Sequence, residues 1–330
     1  MTSVLLVGTG QVGARAARQL VDIPGLSRLV IASRDAARAR ELAEAMGANA
    51  DVLAERPGDE EGLPVDVDAV AIAIGGARAT RWVRRAIGAG VPVAAVSEIP
   101  LGELEASAHA RGVAVVGGCA LAPGMTDVLA RHAAAALDTV DEVHIARVGA
   151  SGPACVHAVR EARHAIPGEW RDGSWHADRG FGPELLWFPE PVGARECQLV
   201  SVGVAATVAT VPTARHVTSR LGALPAAGRL RMALRRDPVD GGWGAARVEV
   251  SGWRDGVAES IVYGIVDRTA VVAGVVLAVS AAALAGLVAA ALEPAPGVRA
   301  LGEVVAPVPF LTELSRWGVR AAAFEGVVPS

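Results

Sequence analysis

The run Gly8-Thr9-Gly10-Gln11-Val12-Gly13 places three glycines at the spacing that a bound pyrophosphate requires. An apolar stretch, residues 3–7, precedes the run, and an Arg/Ala-rich stretch typical of a helix follows it. In such a strand–turn–helix, the first glycine permits the tight turn and the second lets phosphates approach the backbone. The third lets the helix pack closely on the strand. Because free N–H groups at a helix start attract phosphate, the run predicts a dinucleotide site formed by Gly8, Gly10, Gln11, Val12 and Gly13.

The end of the second apolar run should select the dinucleotide. Folds that bind NAD usually place Asp or Glu there, where the carboxylate accepts hydrogen bonds from the ribose hydroxyls. This chain has Ser33 and Arg34 instead. Asp35 follows one or two places late for the ribose, and the alternative for it is to cap the following helix. A hydroxyl and a guanidinium suit a 2′-phosphate. We therefore expect the protein to prefer NADP(H) over NAD(H). The alternative is that Arg34 is only a solvated charge on the loop.

Two later loops should lie at the same edge of the predicted sheet. Ile74, Gly75 and Gly76 end the third apolar run, and Ser97 and Glu98 follow the fourth. A dinucleotide crosses the carboxyl ends of parallel strands, so Ile74, Gly75, Gly76 and Ser97 are predicted cofactor contacts. Glu98 is a candidate general acid or base, or a partner for a substrate ammonium group. The alternative for Glu98 is a surface carboxylate or a helix cap.

The segment Pro123-Gly124-Met125-Thr126-Asp127 is expected to begin a helix at a domain junction. Thr126 or Asp127 either orients a substrate there or caps the helix, and the sequence leaves both possibilities open. Asp127 is retained as a catalytic candidate. Cys119, which has no base beside it in the sequence, is interpreted as a small packing residue.

A second helix is predicted after Ser151-Gly152-Pro153, and it carries polar side chains along one face. His157, Arg160, Glu161 and His164 follow one another at helical spacing. The plain interpretation is a solvated stripe. The functional hypothesis is that Arg160 binds a substrate carboxylate while His157 exchanges a proton. The histidine spacing is not that of a zinc protease helix, and we expect no metal.

These residues require an N-terminal doubly wound parallel sheet to position them. Short apolar runs at residues 3–7, 29–32, 69–74, 91–96 and 113–116 alternate with helical stretches. Such alternation predicts an α/β Rossmann domain. From about residue 125 the pattern changes to half-buried strands at 142–148, 183–189, 245–253 and 257–266. Turns at Asp172-Gly173, Asp240-Gly241-Gly242 and Asp255-Gly256 separate them.

We therefore predict a second, α+β domain with a mixed or antiparallel sheet. The expected boundaries are 1–124 for the dinucleotide-binding domain and 125–299 for the substrate domain. Residues 300–330 are expected to pack back on the first domain. Residues 269–292 contain no charge and are long enough to span a bilayer, but they lack aromatic and basic anchors. We predict a buried helix there.

The composition excludes several classes of protein. A net charge of −4 provides no basic surface for a nucleic acid, and three cysteines without metal-type spacing fit a reducing compartment. No signal peptide is expected, so the predicted location is cytoplasmic. All 31 residues counted as Lys or Arg are arginine, and Tyr263 is the single tyrosine. Mechanisms that need a Schiff-base lysine or a Tyr-Lys relay are thereby excluded.

Several of these motifs resemble the saccharopine-dehydrogenase-like NAD(P) oxidoreductases. The resemblance rests on residues 8–13 with Ser33-Arg34-Asp35, on residues 67–76, and on the Pro-Gly junction at 117–127. It extends to Gly149-Ala150-Ser151-Gly152, to residues 252–257, and to residues 309–319. It implies a Rossmann domain, a second α/β domain with a mixed sheet, and a cleft between the two. Because the lysine-pathway enzymes are longer and carry an inserted domain, it does not imply saccharopine dehydrogenase itself.

The expected activity is hydride transfer between NADP(H) and a C=N or C=O carbon of a small, carboxylate-bearing substrate. The alternative is a non-redox cyclase or isomerase on the same scaffold, with a structural dinucleotide. The expected partner is a small-molecule substrate, and no binding to nucleic acid or to a membrane is expected. A homodimer is the assembly to test.

Overall fold

A computed structural model describes residues 1–47, 50–54, 63, 66–100, 102–177, 182–222, 242–289 and 291–323. The chain divides into two compact units. Unit 1 contains residues 1–120 and 271–319, and unit 2 contains residues 121–270 and 320–330. The fold is α/β: unit 1 is built on a parallel sheet and unit 2 on a mixed one, as the sequence predicted.

Unit 1 begins with alternating strands and helices. In chain order these are β1 (Thr2–Val7), α1 (Gln11–Val21), β2 (Leu26–Ser33), α2 (Ala36–Met46), β3 (Ala50–Ala54), β4 (Ala69–Ile72), α3 (Gly76–Ala89), β5 (Val93–Ala95), α4 (Glu103–Ala110) and β6 (Ala114–Gly117).

Within the described residues, seven strands form the sheet of unit 1. With β15 at residues Gly297–Ala300, the strand order is β15-β6-β5-β4-β1-β2-β3, and every neighbouring pair is parallel. The central strands carry unbroken apolar runs, such as residues 4–7 of β1 and residues 29–32 of β2, and these runs are buried, as is typical of a parallel sheet that is covered on both faces. Leu5, Val30, Ile72 and Val93 are buried with Trp82 of α3 in one core cluster.

Unit 2 follows with α5 (Met125–Ala134), β7 (Thr139–Val148), α6 (Gly152–His164), β8 (Gly168–Arg171), β9 (Ser174–Ala177), β10 (Glu184–Phe188), β11 (Gly193–Val200), α7 (Val204–Thr210), β12 (His216–Gly222), β13 (Trp243–Arg254) and β14 (Val257–Arg268). With β16 at residues Ala322–Ala323, the main strand order is β10-β11-β12-β7-β13-β14-β16, and the β8–β9 hairpin is joined to β12. The β12–β7 pair is parallel and the other pairs are antiparallel.

Two predicted hairpin turns are present. Asp172 and Asp255 have positive φ, and the glycine after each does too, which is the backbone of a turn matched to the twist of its strands. The turn predicted at residues 240–242 lies mostly outside the described residues.

The remaining elements are α8 (Thr269–Leu284), β15 (Gly297–Ala300), α9 (Leu301–Val304), α10 (Pro307–Arg316) and β16 (Ala322–Ala323). The predicted buried helix is α8, which is buried along nearly its whole length, although it ends at Leu284 rather than at Leu292. Where the structure describes the chain, no helix combines the length and hydropathy that a membrane span requires.

The division between the units differs from the expected boundary at residue 299. Residues 271–299 belong to unit 1, for two physical reasons. Gly274 of α8 approaches α1 so closely that a Cβ would lie 2.7 Å from the Cβ of Arg15. In addition, β15 pairs in parallel with β6 and completes the sheet of unit 1. Residues 301–319 also belong to unit 1, whereas β16 pairs with β14 in unit 2.

Candidate functional site

The glycine run of unit 1 forms a closely packed turn between β1 and α1. A Cβ on Gly13 would lie 1.9 Å from the carbonyl oxygen of Gly8, so only glycine fits there. Gly8 has a φ of +107°, and its own Cβ would lie 2.6 Å from Cγ2 of Ile74. At Gly10 no atom lies within 4 Å of the Cβ position. The turn is therefore closed to side chains at Gly8 and Gly13 and open at Gly10, as pyrophosphate binding requires.

The N-terminus of α1 carries backbone donors without a side-chain cap. Gly10 is the N-cap residue and no side chain caps the helix. The first backbone hydrogen bond here runs from the N–H of Ala14 to the oxygen of Gly10. The N–H groups of Gln11, Val12 and Gly13 precede it, and they are the groups that bind an anion at a helix start.

The end of β2 is tied to this turn. The hydroxyls of Ser33 and Thr9 are 3.0 Å apart and buried, and the Ser33 hydroxyl also accepts a hydrogen bond from the N–H of Asp35. Ser33 therefore positions the two loops relative to each other. Arg34 is exposed beside them.

Asp35 caps α2, since its carboxylate accepts a hydrogen bond from the N–H of Arg38. This was the alternative that the sequence offered for Asp35. The side chain of Arg38 is exposed in the first turn of α2, four residues after Arg34.

The next loops continue the same edge of the sheet. Gly75 is the N-cap of α3, which also lacks a side-chain cap, and its Cβ position lies 4.0 Å from the Cβ of Ser97. The Ser97 carbonyl accepts a hydrogen bond from the N–H of Gly118. The Ser97 hydroxyl is buried and has no hydrogen-bond partner among the described residues. Gly76 has a φ of +66° and an open Cβ position.

The residues of this edge fit a dinucleotide. Gly8, Gly10, Gly13, Ile74, Gly75 and Ser97 adjoin one another along it, and a second uncapped helix start lies at Gly75. A buried hydroxyl without a partner is costly unless a ligand satisfies it. Glu98 follows Ser97 and is exposed.

Asp127 in unit 2 acts as a helix cap. It is 1% exposed, and its Oδ2 accepts a hydrogen bond of 2.6 Å from the N–H of Gly124. Its Oδ1 accepts one of 2.6 Å from the hydroxyl of Thr207. Burial raises the pKa of Asp127 to about 6, against the lowering effect of these hydrogen bonds. Thr207 lies on α7, 80 residues away, and nothing in the sequence pointed to it.

The polar face of α6 is exposed. Nε2 of His157 lies 3.2 Å from Oε1 of Glu161, with 75% and 68% of the two side chains exposed, and Arg160 and His164 are exposed as well. This exposure agrees with the plain interpretation of a solvated stripe, and it also leaves His157 and Arg160 accessible to a substrate. Cys119 in unit 1 is fully buried, and burial raises its pKa to about 12, so its thiol stays protonated.

Comparisons with known proteins add evidence for the fold. Residues 1–63 match the family model of shikimate / quinate 5-dehydrogenase. No curated protein sequence matches the chain significantly.

Three solved structures illustrate the structural likeness. Saccharopine dehydrogenase (L-Glu forming) from Saccharomyces cerevisiae superposes with a TM-score of 0.71 at 15% identity, covering 98% of this chain and 100% of that one. A probable dehydrogenase from Thermotoga maritima gives 0.49 at 14% identity, covering 97% and 98%. GenD2 from gentamicin A biosynthesis, in complex with NAD, gives 0.49 at 16% identity, covering 98% and 97%. The chain thus has the fold of saccharopine dehydrogenase along nearly its whole length, and the resemblance predicted from its motifs is confirmed at the level of the fold.

Proposed function

We propose that the protein is an NADP(H)-dependent oxidoreductase. It transfers hydride to or from a C=N or C=O carbon of a small, carboxylate-bearing substrate. The observation that carries the proposal is the turn after β1, where Gly13 is closed to any side chain and Gly10 is open. The saccharopine dehydrogenase fold and the shikimate dehydrogenase match over residues 1–63 support it.

Different residues of unit 1 would hold different parts of the dinucleotide. The N–H groups at the starts of α1 and α3 would bind the pyrophosphate. Arg34, joined by Arg38, would bind the 2′-phosphate, since a guanidinium forms strong charge-assisted hydrogen bonds with phosphate oxygens. The hydroxyl of Ser97 would form a hydrogen bond with the bound dinucleotide. When bound, the nicotinamide supplies or accepts the hydride.

The proposed roles of the remaining candidates follow from their chemistry. Arg160 binds the substrate carboxylate, and His157 or Glu98 transfers one proton. Asp127 is assigned a positioning role, because both of its oxygens are engaged in holding Gly124 and Thr207.

The decisive experiment uses a matched pair of glycine variants. Gly10→Ala places a methyl group in open space at a φ of −68°, which alanine adopts freely. We therefore expect the thermal midpoint to be unchanged, while affinity for NADPH, followed by fluorescence titration, falls about tenfold or more because the methyl blocks close phosphate approach. Gly88→Ala, in α3 with no atom near its Cβ position, is the control and should keep full affinity. Unaltered NADPH binding by Gly10→Ala would contradict the site.

A second function is favoured by one specific observation. The sequence contains no lysine and a single tyrosine, Tyr263, so neither a Tyr-Lys proton relay nor a Schiff-base lysine is available. A non-redox cyclase or isomerase with a structural dinucleotide would need neither. Reduced-nicotinamide absorbance, followed with a panel of oxo acids, imines and enones, separates the two functions. Turnover of cofactor with any of them supports the oxidoreductase, whereas substrate conversion without cofactor oxidation supports the alternative.

A further inference from the structure

The sheet of unit 2 carries a cluster of metal-ligating side chains. Glu142 and His144 lie two residues apart on β7 and share one face of the sheet, as do His216 and Thr218 on the adjacent strand β12. The strand register pairs Glu142 with His216 and His144 with Thr218. One ligand atom from each of Glu142, His144 and His216 lies within 4.8 Å of the other two.

Two of the spacings between ligand atoms are close to those around a small transition-metal ion. Nε2 of His144 is 3.0 Å from Oε2 of Glu142, and Nδ1 of His216 is 3.6 Å from the other oxygen of the same carboxylate, Oε1. Zinc binds histidine nitrogen and carboxylate oxygen at about 2.0–2.2 Å, so the edges of its tetrahedron measure about 3.3–3.5 Å. Small movements of the side chains therefore suffice to bring the three residues to one ion.

The outer nitrogens of both imidazoles are held in place. Nε2 of His216 is 3.0 Å from a carboxylate oxygen of Glu169. The side chain of Glu169 is only 9% exposed, and it also forms an ion pair with Arg171 of β8. Nδ1 of His144 is 2.8 Å from the hydroxyl of Thr218. Histidines that bind metals commonly have such a partner for the other ring nitrogen, because it fixes the tautomer and the orientation of the ring.

His216 lies between two carboxylates. Its Nε2 is 3.0 Å from an oxygen of Glu169 and its Nδ1 is 3.6 Å from an oxygen of Glu142. The second distance is longer than a hydrogen bond, so the Nδ1 of His216 and the carboxylate of Glu142 face each other at a separation that a shared metal ion would span.

We propose that Glu142, His144 and His216 form a binding site for a divalent transition-metal ion of the zinc type. Three protein ligands leave one coordination position open, and the side chain of Glu142, 48% exposed, lies beside solvent. The expectation of no metal came from the spacing of His157 and His164, whereas these ligands come from two strands, 72 residues apart. The proposal stands independently of the oxidoreductase activity.

Metal titration of the full-length, untagged and chelator-treated protein tests the proposal. We expect Co²⁺ to bind with a stoichiometry of one, with the visible absorption of a low-coordinate nitrogen and oxygen site, and Zn²⁺ to displace it. His144→Ala and His216→Ala should each weaken Co²⁺ binding about 100-fold or more, and Glu169→Gln about tenfold to 100-fold, as expected for a residue that supports a ligand. Zn²⁺ should raise the thermal midpoint of the wild type but not of the two histidine variants.

His164→Ala, which removes an exposed histidine of α6 in the same unit, is the matched control and should bind Co²⁺ as the wild type does. Thermal unfolding in the presence of chelator shows whether each variant is folded. Absence of saturable, one-equivalent Co²⁺ binding by the wild type would overturn the proposal whatever the variants do. Equal binding by wild type and folded His216→Ala would overturn it as well.

Discussion

Asp127 combines full burial with a titratable carboxyl group. Its two hydrogen bonds hold the start of α5 to α7, yet burial makes the charged form costly and raises its pKa to about 6 from an ordinary value of 3.8. The folded protein therefore binds a proton more tightly at this site than the unfolded chain does. Between these two values the folded state carries more bound protons, so stability should decrease as the pH rises through that interval.

The stability of the wild type should thus fall between about pH 4 and pH 7, by at most about 3 kcal/mol from this group. Asp127→Asn should remove that decrease because the asparagine side chain has no charge that titrates. Its amide still accepts a hydrogen bond from the N–H of Gly124 and donates one to the hydroxyl of Thr207. Urea unfolding at a series of pH values measures the difference between the two proteins. Asp127→Ala, which loses both hydrogen bonds, should be less stable than the wild type throughout. Parallel pH profiles for wild type and Asp127→Asn would exclude a shifted carboxyl group here.

Arg34 and Arg38 are predicted to set the cofactor preference. Loss of one charge-assisted contact costs about 1.5–3 kcal/mol, so Arg34→Ala should weaken NADPH binding about tenfold to 100-fold while leaving NADH binding nearly unchanged. Arg38→Ala should have the same sign and a smaller effect. Fluorescence titration with both cofactors measures this. Equal affinity of the wild type for NADPH and NADH would refute the preference.

Among the elements, α8 shows how close packing determines the choice of glycine. A Cβ at Gly274 would lie 2.7 Å from both Cβ and Cγ of Arg15 and 3.0 Å from the backbone nitrogen of Ala16. Neither the backbone of α1 nor the first atoms of a side chain can move aside cheaply. The contact therefore outweighs the higher helix propensity of alanine.

Gly274→Ala should lower stability by about 1–3 kcal/mol, the usual cost of overpacking. Gly88→Ala in α3, where the Cβ position is open, should raise stability by about 0.5–1 kcal/mol through helix propensity. Both glycines lie in unit 1, so the same thermal transition reports on both. Stabilisation by Gly274→Ala would show that α8 does not pack against α1 at this distance.

At the scale of the whole molecule, the proposed proton transfer and carboxylate binding are assigned to Glu98, His157 and Arg160. We expect kcat/KM to fall by about tenfold or more in each of three variants, Glu98→Gln, His157→Ala and Arg160→Ala. Losses of this size are at the low end of what removing a proton-transfer group or a charge-assisted hydrogen bond costs.

Affinity for NADPH should remain nearly intact in all three variants, since none is a proposed cofactor contact. Steady-state kinetics combined with cofactor titration separates the two effects, and His164→Ala on the same helix serves as a control. Wild-type turnover in all three variants would show that the reacting groups lie elsewhere.

The sequence was sufficient for features that neighbouring residues encode. The glycines at 8, 10 and 13 predicted the turn and the helix start because their conformational requirements are local. The apolar runs predicted the central strands β1, β2, β4, β5 and β6, since strands buried on both faces are apolar without interruption. The charge-free stretch at 269–292 likewise predicted a buried helix, although the chain leaves the helix at Leu284.

The tertiary structure alone decided the features that depend on distant pairing. β15 joins the sheet of unit 1 beside β6 through a register with residues 114–117, and no local pattern distinguishes such a four-residue strand from the turn before it. The Thr9–Ser33 and Asp127–Thr207 contacts join residues 24 and 80 positions apart. The Glu142–His144–His216 cluster brings His216 to two residues that lie more than 70 positions before it. Hydrogen bonds and metal coordination require side chains to meet within a few ångströms, and only the packing of the strands and helices determines which ones do.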